Sequence, residues 1–151
     1  MVAATFRLTV MQVQSDAQIN CMRAIRNSGS DGYSGPDIQI SPDEQEAWWR
    51  ENFDNIKAWL YVSQGIVVGY GMMCKRDNGQ WTPSAGIWPE YRGRGFGKWI
   101  VSNLVVRART FGITLFAQAR KTNPAAIATH DLGLWEKLVE DDDYVYFRSK
   151  P

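Results

Sequence analysis

Ile87-Trp88-Pro89-Glu90-Tyr91-Arg92-Gly93-Arg94-Gly95-Phe96-Gly97-Lys98 joins a run with strand periodicity to a run with helical periodicity. Upstream, Gln80 to Ile87 alternates as a strand does; downstream, Ile100, Val101, Leu104, Val105 and Ala108 recur at helical spacing up to Gly112, a helix-ending glycine. A strand, a glycine-rich loop and a helix in that order form a cradle for an anion. Glycines let backbone N–H groups point inward unobstructed, the helix start adds partial positive charge, and Arg92, Arg94 and Lys98 add full charges. A pyrophosphate is the natural guest. A Walker loop is excluded, because it needs glycine where Arg92 stands and Ser or Thr where Trp99 stands. The dinucleotide fingerprint is excluded as well: Gly93, Gly95 and Gly97 are spaced GxGxG rather than GxGxxG, and no parallel βαβ unit opens the chain.

Working toward the N-terminus, Gln80–Ile87 is the third run of a meander. Ala58–Ser63 and Ile66–Cys74 are the other two, joined at Gln64-Gly65 and Asn78-Gly79. Pro83 cannot donate to a ladder, so the third run is expected to be bulged or paired on one side only there, which makes it the place for the sheet to open. Ser41, Pro42 and Glu44 start a helix through Trp48, Trp49 and Phe53, and Ser15 with Gln18 starts another carrying Ile19, Met22 and Ile25. Thr5–Val13 reads as a strand, and Asn27–Ile40 as a loop. Toward the C-terminus come a strand at Thr114–Ala119, a helix over Asn123–Leu132 closed by Gly133, an extra strand around Trp135–Glu140, and a last strand, Tyr144–Arg148, after an Asp141–Asp143 turn. The expected architecture is a single α/β domain over residues 1–151, a mixed sheet with helices on both faces.

The composition agrees with one soluble domain: 151 residues, 44% hydrophobic and 22% charged. A net charge of +1 supplies no global field toward nucleic acid or anionic membrane, although Arg92, Arg94, Arg107, Arg109, Arg120 and Lys121 would permit a local basic patch. Cys21 and Cys74 have neither disulfide-framework nor metal-site spacing, which points to a reducing, cytoplasmic location and no metal. The N-terminal stretch lacks a signal-peptide core, and no run is long enough to span a bilayer.

The loop Arg92-Gly93-Arg94-Gly95-Phe96-Gly97 resembles the acyl-CoA loop R/QxxGxG/A of the GNAT superfamily of N-acyltransferases, with the usual hydrophobic-x-Pro segment before it as Ile87-Trp88-Pro89. Element order and chain length extend the resemblance over nearly the whole chain. It implies a central, mostly antiparallel sheet splayed near the fourth strand, and acetyl-CoA as acyl donor. Backbone groups near Ile87 and Trp88 would hold the pantetheine arm, and N–H groups from Gly93 through Phe96 and Gly97 to Lys98 would receive the pyrophosphate. The family places an Asn at the start of the helix after the fifth strand and, seven residues on, a Tyr that protonates the leaving thiolate. Asn123 is in place, and His130, the only histidine, occupies the second position, with one residue fewer than usual before Gly133. His130 is thereby the candidate proton donor, with a helix-end structural role as its alternative.

The glutamate that many relatives carry on the fourth strand is missing, which leaves Asp31, Asp37, Asp43 and Glu44 as the nearest acids by topology. Trp81, at the expected splay, is an acceptor-side candidate together with Tyr33 and Trp49, although Trp49 is also spaced as a core residue. Arg26-Asn27 and Ile40–Gln45 before Trp48-Trp49 also resemble relatives that acetylate amino sugars. The resulting expectation is an acetyl-CoA-dependent N-acetyltransferase of a small-molecule primary amine. Its alternatives are a protein N-terminal or lysine acetyltransferase and a non-catalytic acyl-CoA-binding module. Neither membrane nor nucleic acid is expected as a partner, and a homodimer stays among the options.

Overall fold

The computed structural model describes residues 8–28 and 39–151. Tyr33, Asp31, Asp37 and the first residues of the expected N-terminal strand lie outside them. Both helix starts read from the sequence are present. In α1 (Asp16–Ser28), Ser15 Oγ accepts the Gln18 N–H at 3.2 Å while Gln18 Oε1 accepts the Ser15 N–H at 3.0 Å, so two otherwise orphaned donors are satisfied reciprocally. In α2 (Pro42–Asn52), Ser41 Oγ accepts the Glu44 N–H at 3.2 Å, with Pro42 at the first helical position. Ile19, Met22, Ile25 and Trp49 turn inward from these helices. Phe53 does not continue that face: the chain tightens into a 3-10 turn over Phe53–Asn55 that leaves its ring 65% exposed.

Four strands, β1 (Thr9–Gln12), β2 (Ile56–Ser63), β3 (Ile66–Lys75) and β4 (Trp81–Ile87), form an antiparallel sheet in that order. The β2–β3 turn places Gln64 and Gly65 at φ +51° and +77°, the left-handed pair that a two-residue hairpin needs. A second antiparallel sheet has the order β5 (Phe116–Arg120), β7 (Tyr144–Ser149), β6 (Trp135–Glu140). Helix α3 (Phe96–Thr110) connects the sheets, and the five-residue α4 (Pro124–Ala128) follows β5. Helices α1 and α2 cover one face of the first sheet, over Leu60, Tyr70 and Met72. Helix α3 covers the other face through Ile100, Leu104 and Val105, and that core continues over Val145 and Phe147 of the second sheet.

The sheets meet at a single parallel bridge between Trp81 and Leu115, which realises the expected mixed architecture splayed at β4. Pro83 causes no bulge. It pairs in regular register with Met73 and has a strand on one side only. The register shifts lie elsewhere, at Tyr61/Val62 and at Lys137/Val139. Helix α4 is shorter than its sequence pattern suggests. Beyond Ala128, the His130 N–H bonds the Ile127 carbonyl at 3.2 Å in a tightened turn, and Asp131 Oδ1 takes the Gly133 N–H at 2.8 Å. Such local side-chain bonds compete with helix continuation.

Candidate active site

Hydrogen-bond parity decides what the splay offers. Val13 N–H donates to the Ala58 carbonyl and Trp88 N–H to the Val68 carbonyl. With the observed registers and the alternation of antiparallel ladders, Thr82, Ser84 and Gly86 direct their backbone polar groups toward β3, whereas Ala85 and Ile87 direct theirs into the gap beside β5. Pro83 sits at a gap-facing position, where its missing N–H costs no ladder bond. Beyond the Trp81–Leu115 bridge, the end of β4 therefore presents a short row of donors and acceptors suited to an extended amide-containing chain.

The glycine loop stands at the end of that row. Gly93 and Gly95 have φ of +75° and +87°, values that L side chains rarely adopt. Gly95 is the N-cap of α3 and brings no side chain of its own to the first-turn N–H groups, which leaves the helix start open to an anion. Phe96, 5% exposed and edge-on to Tyr91 at 6.3 Å, pegs the helix start into the core. Arg92, Arg94 and Lys98 are exposed around the turn, with the Arg94 guanidinium 5.4 Å from the Tyr91 ring centroid. At Gly97, a Cβ would stand 3.3 Å from Ile87 Cδ1 and 3.5 Å from Thr129 Cγ2. The ends of β4 and α4 and the start of α3 converge on that one glycine.

Helix α4 brings Thr129, not His130, to this junction. Asn123 caps α4, its Oδ1 accepting the Ala126 N–H at 3.1 Å. His130 Nδ1 donates to the Ala126 carbonyl at 2.9 Å, its ring stacks on Phe147 at 4.3 Å and 4°, and it meets Trp135 edge-on at 4.9 Å. Burial holds the imidazole below its ordinary pKa, against the opposing pull of the Ala126 and Ile127 carbonyls. The ring faces an open cavity of about 510 Å³ that also includes Lys121, Leu132, Lys137 and Val145, on the β6–β7 flank of α4. The shortened interval to Gly133, visible in the sequence, is the signal for this turn of the ring; nothing in the sequence singles out Thr129.

The remaining candidates spread apart. Trp81 lies at the closed end of the splay, half-buried against the α3 core, while Trp88 lies at the open end, against the α1–α2 core. Trp49 is 9% exposed within that second core. Asp43 and Glu44 occupy the first turn of α2. Asn27 ties the ends of the α1–α2 connection together, its Nδ2 donating to the Ile40 carbonyl at 2.9 Å and its Oδ1 accepting the Ile40 N–H at 3.0 Å. Of the basic residues, Arg107 is turned to Asn103 and the Trp59 ring, Arg109 to the Lys150 carbonyl and Lys121 to Glu140, so they do not form one patch with the loop.

Residues 22–134 match the model of the acetyltransferase (GNAT) family. The chain belongs to this family. Solved structures that resemble this GNAT acetyltransferase include ribosomal-protein-alanine N-acetyltransferase from Brucella melitensis (TM-score 0.78, 18% identity, 93% of this chain and 98% of that one). Another is a phosphinothricin acetyltransferase from Sinorhizobium meliloti in complex with acetyl-CoA (0.76, 21%, 93% and 86%). A third is spermidine N-acetyltransferase from Vibrio cholerae in complex with CoA and spermine (0.75, 15%, 93% and 94%). At these identities the likeness establishes the fold. None of the curated proteins matches the chain by sequence.

As a GNAT member the protein is a transferase whose acetyl donor is acetyl-CoA. The residues present fit that donor, since a helix start without a side-chain cap beneath two left-handed glycines suits a pyrophosphate and the gap-facing edge of β4, beyond the Trp81–Leu115 bridge, suits the pantetheine amides. Among the described residues, no cluster of His, Cys, Asp or Glu could hold a metal and no helix is long and apolar enough to cross a membrane.

Proposed function

We propose that the protein transfers an acetyl group from acetyl-CoA to the primary amine of a small molecule by direct attack on the thioester. The observation that carries this reading is the opening of β4 from β5 immediately beside the uncapped start of α3. Backbone N–H groups from Gly93 to Lys98, reinforced by Arg92, Arg94 and Lys98, would hold the pyrophosphate. Ile87, Trp88 and Ala85 would align the pantetheine arm, with Asn123 at the opposite wall. Bound acetyl-CoA supplies a carbonyl already activated toward amines. The Ile87 N–H, fixed by the ladder behind it, is directed to where negative charge develops on that carbonyl oxygen, and such preorganised donors are the larger part of acyl-transfer catalysis.

A small acceptor is the favoured reading, with α1 and α2 roofing the far face of the sheet. The spermidine and phosphinothricin enzymes among the structural neighbours act on small amines, which supports the same choice. The test is acetyl-CoA with a panel of polyamines, amino acids, amino sugars and N-terminal peptides, read by intact mass and thiol release. Acetylation confined to peptides would replace the small-molecule reading with the protein one, and cofactor binding without any product would leave an acyl-CoA-binding module.

A further inference from the structure

At the end of β5 two adjacent basic residues leave the sheet on opposite faces. Lys121 is turned to Glu140, whereas the Arg120 side chain is exposed and makes no hydrogen bond or ion pair among the described residues. The level of Arg120 follows from register. Trp81 and Leu115 form the parallel bridge between the sheets, and the chain runs the same way from both, so Arg120 stands level with Gly86 and one residue short of Ile87. Its face follows from alternation. Ala119, Val145 and Phe147 turn into the α3 core, so Arg120 and its register partner Tyr144 leave on the other side, the side on which α1 and α2 roof the first sheet. Over the second sheet that side is open, with Gln118, Arg120 and Arg148 all exposed.

The two sides of the gap are unequal. On the α3 side, Ile87, Gly97 and Thr129 converge beside the glycine loop, and the cofactor would occupy that side. The acceptor is left with the other. There the β4 bank carries no charge: Thr82 Oγ1 accepts from Arg76 Nε at 2.8 Å, Ser84 is neutral, and the Tyr70 ring lies across Gly86, where a Cβ would stand 2.4 Å from Tyr70 Cε1. The β5 bank carries Arg120. The acids of the β6–β7 hairpin do not neutralise it. Glu140 is on the α3 side between Lys121 and Lys137, and Asp141 accepts from the Asp143 and Tyr144 N–H groups and the Tyr146 hydroxyl. Asp142 and Asp143, at the exposed tip of the turn, form no ion pair with Arg120.

Resting on the acetyltransferase reading above, we propose that Arg120 binds an oxyanion carried by the acceptor, which is therefore an amine bearing a carboxylate or a phosphate. The guanidinium fork matches either group through two parallel hydrogen bonds. With the anion held at the level of Gly86, an amine a few bonds away meets a thioester aligned along Ile87. Tyr144 beside Arg120, and Tyr146 with its ring centroid 6.1 Å from that of Tyr144, offer a surface to the rest of the acceptor. A neutral or polycationic amine leaves the guanidinium unmatched, so the same residue selects against it.

The test compares paired acceptors: L-alanine and L-methionine with their carboxamides, and O-phosphoethanolamine and glucosamine 6-phosphate with ethanolamine and glucosamine, spermidine being the cationic control. The anionic member of a pair is expected to have a kcat/KM about 10-fold above its neutral counterpart, the worth of a charge-assisted contact at an exposed edge, and the two arms tell carboxylate from phosphate. In Arg120→Gln the KM of the anionic member should rise by about the same factor with kcat near native, while the KM of the neutral member, the acetyl-CoA dissociation constant and the thermal midpoint hold. Arg120→Lys, which keeps the charge without the fork, should recover part of the loss. A structural role alone would move both members and the midpoint. Calorimetry needs no turnover: N-acetyl-L-methionine and its carboxamide, titrated into protein saturated with coenzyme A, should differ in the same sense, and Arg120→Gln should abolish the difference. Equal binding and turnover of the two members overturns the proposal, as does preference for spermidine or an Arg120→Gln loss shared by both members. Absence of acetyl-CoA binding would overturn the acetyltransferase reading itself, a result distinguishable from these.

Discussion

Replacing His130 with alanine separates a proton donor from a packing residue. The ring is held by a parallel stack on Phe147, an edge contact with Trp135 and one hydrogen bond to the Ala126 carbonyl. Two aromatic contacts at roughly 0.5–1.5 kcal/mol each and a hydrogen bond near 1 kcal/mol, discounted for partial exposure, predict a loss of about 2–3 kcal/mol. In a chain of this size that lowers the thermal midpoint by roughly 5–10 °C. The pH dependence provides an independent check. Burial depresses the folded-state pKa below its unfolded value, so the unfolded chain binds a proton that the folded chain refuses. The resulting stability is fully present above the unfolded pKa of about 6.5. It declines as pH falls from there toward the folded value. Urea titrations at pH 7.5 and 5.5 should show native stability falling more steeply than that of the alanine variant, while kcat at pH 7.5 stays within about threefold, far less than the loss of a general acid would cost. Native stability combined with a tenfold or greater loss of kcat would refute this reasoning and return His130 to the thioester.

The loop glycines should separate strain from access. Gly93→Ala has open space for its methyl but must hold φ +75°, so urea denaturation should show a loss of about 1–2 kcal/mol. Gly95→Val is expected to weaken acetyl-CoA binding in calorimetry by about 10- to 100-fold through blocked backbone approach, and unchanged affinity in a folded variant would remove the loop from the cofactor site. Arg92→Ala and Arg94→Ala should each weaken binding less, by about 3- to 10-fold at low salt, with the difference shrinking as salt screens the exposed charges. Ser41→Ala removes the α2 cap and should cost about 1 kcal/mol of stability with kcat unchanged.

The parts of the fold legible in the sequence are those set by local chemistry. Ser15 with Gln18, Ser41 with Pro42, Gln64-Gly65 and Asp141 each announce their structure because cap and turn bonds form within four residues. The glycine loop belongs to the same class, as its conformation requires the residue types it contains. His130 does not. Its orientation depends on how many residues separate it from Gly133 and on whether Phe147, seventeen positions away, offers a stacking face. Phe53 fails for a related reason, since helical periodicity assigns a face but does not say where the helix stops. Tyr70 was legible only as a strand residue. That it lies across Gly86 follows from the β3–β4 register, and no local pattern prints a register of that kind.

The opening in the sheet can be traced to the same interplay of local and long-range terms. A parallel neighbour of β4 would need donors at gap-facing positions, and Pro83 removes one of them next to the Trp81–Leu115 bridge. Strand β5 meanwhile satisfies its other edge fully on β7, from Phe116↔Arg148 to Arg120↔Tyr144. With little to gain beyond the bridge and a twist that separates them further at each residue, the two strands diverge. Ala85 and Ile87 then direct their backbone groups into the gap, where no strand among the described residues pairs with them, a situation normally avoided at a sheet edge by pairing, charge or a covering segment. Here the edge lies against the cradle built by Gly93, Gly95 and Gly97. A ligand that brings both phosphates for the cradle and amides for the edge satisfies the two deficits at once. Coenzyme A carries both along one chain, so on the proposed reading the gap-facing edge of β4 and the start of α3 are two halves of one site.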